Sequence, residues 1–262
     1  MPNTLKFKTD ARGVATLTLE RAEKHNAFDD VMIAELLQVL EDVESDETIR
    51  LLVLRAAGKS FSAGADLDWM RRMADYDQEQ NLADAMQLAR LMYSLNRLNR
   101  PVIALVQGAS FGGGVGLIAC CDIAIASSDA IFSLSEVRLG LIPSVISPYV
   151  IAAIGARAAR RYFLTGERFD AGRALQLGLV HEVVEPESLD ACLQQRIDDL
   201  LSSGPKAQVA AKDLIHHVDR RAIDESLIEE TATRIAEIRA SDEGREGLNA
   251  FLQKRKPDWM GK

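Results

Sequence analysis

The chain has 262 residues, 47% of them hydrophobic and 27% charged, and a formal net charge of −8. That is enough chain for one large core of ordinary globular composition, and its acidic balance excludes a general nucleic-acid surface. No apolar run approaches the roughly 18 residues that would indicate a membrane span. The amino terminus carries neither an apolar signal core nor an Arg/Ser-rich transit pattern. Cys120, Cys121 and Cys192 form neither a disulfide framework nor a metal-ligand spacing. The expectation is a cytoplasmic, reduced protein that binds no metal.

In chain order, Leu5–Lys8 and the alternating Val14–Glu20 flank Asp10–Gly13 and predict a hairpin. A polar loop over 21–26 follows. Asp29 or Asp30 then caps a helix on which Ile33, Leu36, Leu37, Leu40 and Val43 recur at helical spacing. Arg50–Ala56 reads as a buried strand. The loop Ser62-Ala63-Gly64-Ala65-Asp66 leads from it into a helix through small residues. Asp66 either caps that helix or faces a ligand beside the Ala65 N–H. A long amphipathic helix is predicted over 79–98.

Val102–Val106 is a short β-branched run bounded by Pro101 and Gly108, as a buried strand requires. Gly112-Gly113-Gly114 then opens an apolar helix over 115–121. Glycines at a helix start leave backbone N–H groups free and let a ligand approach the backbone closely. A strand over 123–126 precedes Glu136, which lies between Leu134 and Val137 with Leu139, Leu141 and Ile142 just beyond. Such surroundings disfavour its charged form. An N–H donor site paired with a carboxyl of raised pKa suits oxyanion stabilisation with proton transfer.

Helices near 156–164 and 171–177 and a strand over 179–184 follow. Beyond about residue 186 the pattern is helical, broken at Ser202-Ser203-Gly204-Pro205. The layout is an α/β core over 1–200 and a helical carboxyl-terminal segment over 201–262. On that segment Leu227, Thr231, Ile235 and Ile238 share a face that needs a partner surface.

Taken together, R-A-E-K-H-N-A-F at 21–28, S-A-G-A-D at 62–66, F-G-G-G at 111–114, S-E-V-R-L-G-L-I-P at 135–143 and L-T-G-E-R-F-D-A-G-R-A-L at 164–175 resemble the crotonase (enoyl-CoA hydratase/isomerase) superfamily. The resemblance implies a spiral of ββα units with a helical trimerisation segment, assembled as a homotrimer or a dimer of trimers. It implies an acyl-CoA thioester as ligand, with coenzyme A carried by the substrate and no other cofactor. The Ala65 and Gly113 N–H groups would hold the thioester oxygen. Ala63, Gly64, Asp66, Gly112, Gly116, Leu141 and Pro143 would line the substrate. Lys254 would either reach the CoA of a neighbouring subunit or stand solvated at a helix end.

One departure bears on mechanism. Hydratases of this family carry two glutamates, and Gly116 occupies the first of those positions while Glu136 supplies the second. Either Gly116 makes room for a branched or acidic acyl group, or the fold has lost catalysis. The wider pattern, with S-P-Y-V at 147–150, is similar to bacterial hydratases of methylglutaconyl-CoA and related carboxylated branched enoyl-CoAs. The expectation is hydration of such a thioester, with Δ3-Δ2 isomerisation or a non-catalytic role as the alternatives.

Overall fold

The structure, a computed structural model, describes residues 4–260. Its first hairpin pairs β1 (Leu5–Thr9) with β2 (Val14–Leu19) antiparallel, Leu5 facing Leu19. Asp29 accepts from the Met32 N–H and is the cap of α1 (Asp30–Ser45). β3 (Leu51–Ala56) returns parallel to β2, and α2 (Leu67–Ala74) and α3 (Gln78–Arg97) follow. The capping box of Asp77 and Gln80 fixes the start of α3.

Two spiral turns then repeat one plan. A long strand enters the large sheet, a short strand enters a small sheet, and a helix closes the turn. The first turn is β4 (Val102–Val106), β5 (Ala109–Phe111) and α4 (Gly113–Ala119). The second is β6 (Ile123–Ser127), β7 (Ile131–Ser133) and α5 (Ser147–Thr165). β8 (Arg168–Asp170), α6 (Ala171–Leu177) and β9 (Glu182–Val184) complete the sheets. The large sheet runs β1-β2-β3-β4-β6-β9 and the small one β5-β7-β8.

Every residue of β4 is buried, as a parallel strand covered on both faces requires. One face packs Leu52, Leu54, Ala104 and Val106 against the helices of the spiral. The other packs Val53, Ile103, Leu105 and Ile125 under Leu193 and Ile197 of α7 (Leu189–Ser202). Beyond α7 come α8 (Pro205–Val218), α9 (Glu225–Ala240) and α10 (Asp242–Leu252). Lys212 ties α8 to the core by donating to Asp122 Oδ2 (2.7 Å) and to the Arg100 carbonyl (3.2 Å).

Two sequence expectations change, and three short strands had no sequence signal. The helix expected at 156–164 begins at Ser147, since Pro148 sits in its first turn and Gly155 (φ 74°) interrupts it. The strands of the small sheet, three residues each, are too short to carry an alternating pattern. On α9, Leu227 of the expected face is buried within its own chain and Thr231 and Ile238 are partly buried, whereas Ile235 of that face is exposed together with Ile228.

Candidate active site

The two small-residue loops meet because an isolated parallel bridge joins Ser62 to Ser110. Ser62 N–H donates to the Ala109 carbonyl (3.1 Å), and Phe111 N–H donates to the Ser62 carbonyl (2.9 Å). A second bridge joins Phe28 to Ala65. Phe28 N–H donates to the Gly64 carbonyl (2.8 Å) and Asp66 N–H to the Phe28 carbonyl (2.9 Å). Ala65 lies between those two bonds, and among the described residues its own N–H has no acceptor.

Across from it, Gly112 holds φ 51° and ψ −118°, a conformation open to glycine. Its N–H donates to the Ser133 carbonyl (2.9 Å), which swings Gly113 into the first position of α4. A helix leaves its first N–H groups unpaired, and the Gly113 N–H has no acceptor among the described residues. A Cβ on Gly113 would lie 3.1 Å from Phe28 Cε2 and closer still to its Cζ. Phe28 thus fixes one donor through its backbone and the other through its ring. Trp69 backs that ring, with centroids 6.4 Å apart, and its Nε1–H donates to Asp84 (3.1 Å).

Glu136 sits on the 3-10 turn Glu136–Leu139 after β7. Its Oε1 lies 3.2 Å from the place of a Cβ on Gly112, so the carboxyl stands next to the second donor loop. Its Oε2 is buried and has no hydrogen-bond partner among the described residues. Burial pushes its pKa up, partly offset by a hydrogen bond from its own backbone. The burial does not come from the apolar residues downstream in sequence. Leu139, Leu141 and Ile142 are all exposed and Pro143 is buried.

The structure separates the remaining candidates. Ala63 N–H donates to the His25 carbonyl (2.9 Å) and Gly64 N–H to Ser62 Oγ (3.2 Å), so both shape the first loop. The Asp66 carboxylate is wholly engaged. Its Oδ1 accepts from the N–H groups of Asp68 and Trp69, and its Oδ2 from Arg21 (2.9 Å) and Lys24 (2.8 Å). Burial opposes that charge, but Lys24 and the backbone donors outweigh it and hold the pKa at about 2. Asp66 is the cap of α2 and offers no free oxygen to a ligand. Lys254 is exposed just past α10, at φ 55°.

Gly116 overturns an expectation. The space beside it is not vacant, because a Cβ there would lie 2.9 Å from Ile146 Cβ and closer still to its Cγ2, with Met92 Cε at 3.3 Å. Ile146 and Met92 are core residues. A side chain at position 116 would meet this chain's own hydrocarbon.

Two unpaired N–H donors and a half-buried carboxyl therefore converge at the head of α4. The sequence matches the enoyl-CoA hydratase/isomerase family over residues 9–262. The chain belongs to that family. An enoyl-CoA hydratase structure from Shewanella pealeana is 54% identical with a TM-score of 0.95, covering 98% of this chain and 96% of that one. The 1,2-epoxyphenylacetyl-CoA isomerase of Escherichia coli is 35% identical, covering 96% of each chain. The 2,3-dehydroadipyl-CoA hydratase of the same organism is 32% identical, covering 95% of this chain and 96% of its own.

Within this family fold, the residues that sequence reasoning missed are Phe28 and Asn26. Asn26 is fully buried in a left-handed turn (φ 53°) and donates to the carbonyls of Ala57 (2.7 Å) and Ser60 (2.8 Å). It holds the loop after β2 to the loop before Ser62. The H-N pair at 25–26 was the available signal, since asparagine tolerates positive φ better than most residues.

Proposed function

We propose that this chain hydrates a branched, carboxylated 2-enoyl-CoA, with 3-methylglutaconyl-CoA as the first candidate. The observation that carries the reading is the pair of unpaired donors at Ala65 and Gly113, braced by Phe28, beside the buried Glu136 carboxyl. The donors suit the thioester oxygen, whose negative charge grows as the double bond is attacked. Water oxygen bonds to the third acyl carbon, the double-bond electrons move onto the thioester, and the protonated Glu136 delivers its proton to the second carbon. The proton released by water returns to Glu136, which restores it. No cofactor beyond the substrate's own coenzyme A enters this scheme.

The carboxylated substrate class is supported by the pattern of residues 111–150 and by the likeness to a 2,3-dehydroadipyl-CoA hydratase. A second reading, Δ3-Δ2 isomerisation, is favoured by the Ile146 side chain that fills the place of a second carboxylate. A proton shuttled between two carbons needs one carboxyl. Incubation with 3-methylglutaconyl-CoA and a 3-enoyl-CoA, followed by mass spectrometry, tests the reading. A product heavier by one water supports hydration; turnover without mass change supports isomerisation, and no turnover of either removes both.

Assembly as a trimer or dimer of trimers belongs to the same reading. The carboxyl-terminal segment exposes Ile215, Ile228, Ile235, Leu248, Phe251 and Leu252, an apolar area that suits a subunit interface. Sedimentation is expected to give a species of three or six chains, and a stable monomer at micromolar concentration would remove this part.

A further inference from the structure

α2 begins directly after Ala65 and its cap Asp66, so the seating of α2 bears on the first donor. Of its eight residues Trp69 is the one that is buried, at 3% exposure. Trp69 is therefore the main anchor of α2 on the core. Its backbone N–H donates to Asp66 Oδ1 (3.3 Å). Its ring lies tilted by 54° against Phe28, with centroids 6.4 Å apart, and its Nε1–H donates to Asp84 Oδ1 (3.1 Å). Attractive aromatic pairs hold their centroids about 4.5–7 Å apart, and a buried indole N–H needs an acceptor.

Asp84 stands on α3, half-buried, and among the described residues its carboxylate has one hydrogen-bond partner, the Trp69 indole. Aspartate is a weak helix former, and burial opposes its charge. The residue serves the indole rather than its own helix. Phe28, on the other side of Trp69, makes the backbone bonds that flank Ala65 and lays its ring on Gly113. Contact therefore runs from Asp84 through Trp69 to Phe28, and from Phe28 to both donors. We infer that Trp69 is a positioning residue for the oxyanion site: tethered by Asp84 of α3, it seats α2 and presses Phe28 into place, so that the Ala65 and Gly113 N–H groups aim at one point. This rests on the two-donor reading proposed above. Donors that stabilise a growing charge act by being aimed before the reaction, and a misplacement of about 1 Å can cost about 10²-fold in rate.

The test uses the full-length protein and two readouts. One is steady-state turnover of 3-methylglutaconyl-CoA. The other is the absorption of bound 2,4-hexadienoyl-CoA, a conjugated thioester whose band moves to longer wavelength as donors polarise its carbonyl; a residue that only supports the fold does not move this band at saturation. Trp69→Ala is expected to lower kcat about tenfold or more and to shrink the band shift, with KM changed less than about threefold. Trp69→Phe keeps a ring and Asp84→Asn keeps an acceptor, so both are expected to retain most of the kcat and of the shift. Asp84→Leu is expected to fall between Asp84→Asn and Trp69→Ala. In a Phe28→Leu background Trp69→Ala is expected to add little, and additive losses overturn the relay. A Trp69→Ala protein with the parent's band shift overturns the inference and leaves the two-donor reading in place. If Trp69→Ala does not fold, equal band shifts in Asp84→Leu and Asp84→Asn overturn it instead. A parent that shifts the band without turning over 3-methylglutaconyl-CoA removes that substrate alone, and the band still decides the inference. A parent that gives no shift overturns the inference together with the two-donor reading.

Discussion

The two donor loops reach the same end by different physics. The Ala65 loop is held by charge: Asp66 is 3% exposed, caps α2 and pairs with Arg21 and Lys24, while Arg21 also pairs with Asp29. The Gly113 loop contains no charged side chain between Ser110 and Cys121, and it is held by backbone bonds and by contact with Phe28, Ser62 and Ile146. A donor fixed by charge responds to pH and to loss of a partner. A donor fixed by close packing responds to volume. The comparison predicts opposite sensitivities for the two groups proposed to hold one oxygen.

The largest effect is expected from volume in the second loop. Gly113→Val drives its side chain into the Phe28 ring and displaces the donor. Loss of one oxyanion donor costs about 2.7–4 kcal/mol, or roughly 10²–10³ in kcat. Steady-state kinetics with a 2-enoyl-CoA check it, and a folded Gly113→Val protein with full turnover would remove this donor from the site. Glu136→Gln comes next, since it belongs to neither loop and is the proposed proton carrier. Its kcat is expected to fall at least about 10²-fold with acyl-CoA binding retained, as measured by turnover beside calorimetric binding.

Much of this arrangement was legible in the sequence, for identifiable reasons. β4 and the helix of Leu36 and Leu40 declare themselves through periodicity, and both loops stand out as runs of small residues between stronger elements. Long-range packing left no such trace. Nothing local to Phe28 says that its ring will lie on Gly113, eighty-five positions away. Of the two readings of Gly116, the one that takes it as space arises because a missing side chain looks like room in one dimension. Ile146, thirty positions later, supplies the atoms that fill it. Glu136 is half-buried, with its carboxyl against the glycine loop in front of it, since Leu139, Leu141 and Ile142 turn outward.

Breaking the charged loop is expected to cost stability before it costs chemistry. Asp66→Ala removes the cap of α2 and leaves Arg21 with Asp29 alone. Loss of a cap costs about 1 kcal/mol and an orphaned buried charge about 3–5. The retained Asp29 and the half-exposed Lys24 put the expected loss at about 2–3 kcal/mol, between those limits. Denaturant unfolding measures it. A variant as stable as the parent would mean that the loop is fixed by its backbone bonds to Phe28 rather than by charge.

The smallest effect separates the loops by pH. Asp66 is held at about 2 in the folded protein against an ordinary 3.8, so it binds fewer protons folded than unfolded between those values. Its contribution is therefore fully present above about pH 4 and is lost as pH falls toward 2, amounting to about 2 kcal/mol. Glu136 works in the other direction. Its pKa is raised by burial, so its charged form opposes folding, and that cost is relieved as pH falls through the raised value. The same protonated form is the proposed proton donor, so kcat is expected to decline on the alkaline side of the profile. Unfolding free energy measured across the acid range should show the Asp66 slope and lose it in Asp66→Asn. The alkaline limb of kcat should be unaltered by that substitution. If Asp66→Asn keeps the acid slope, the first loop is not held by this carboxylate, and the contrast between charge and packing fails at its charged half.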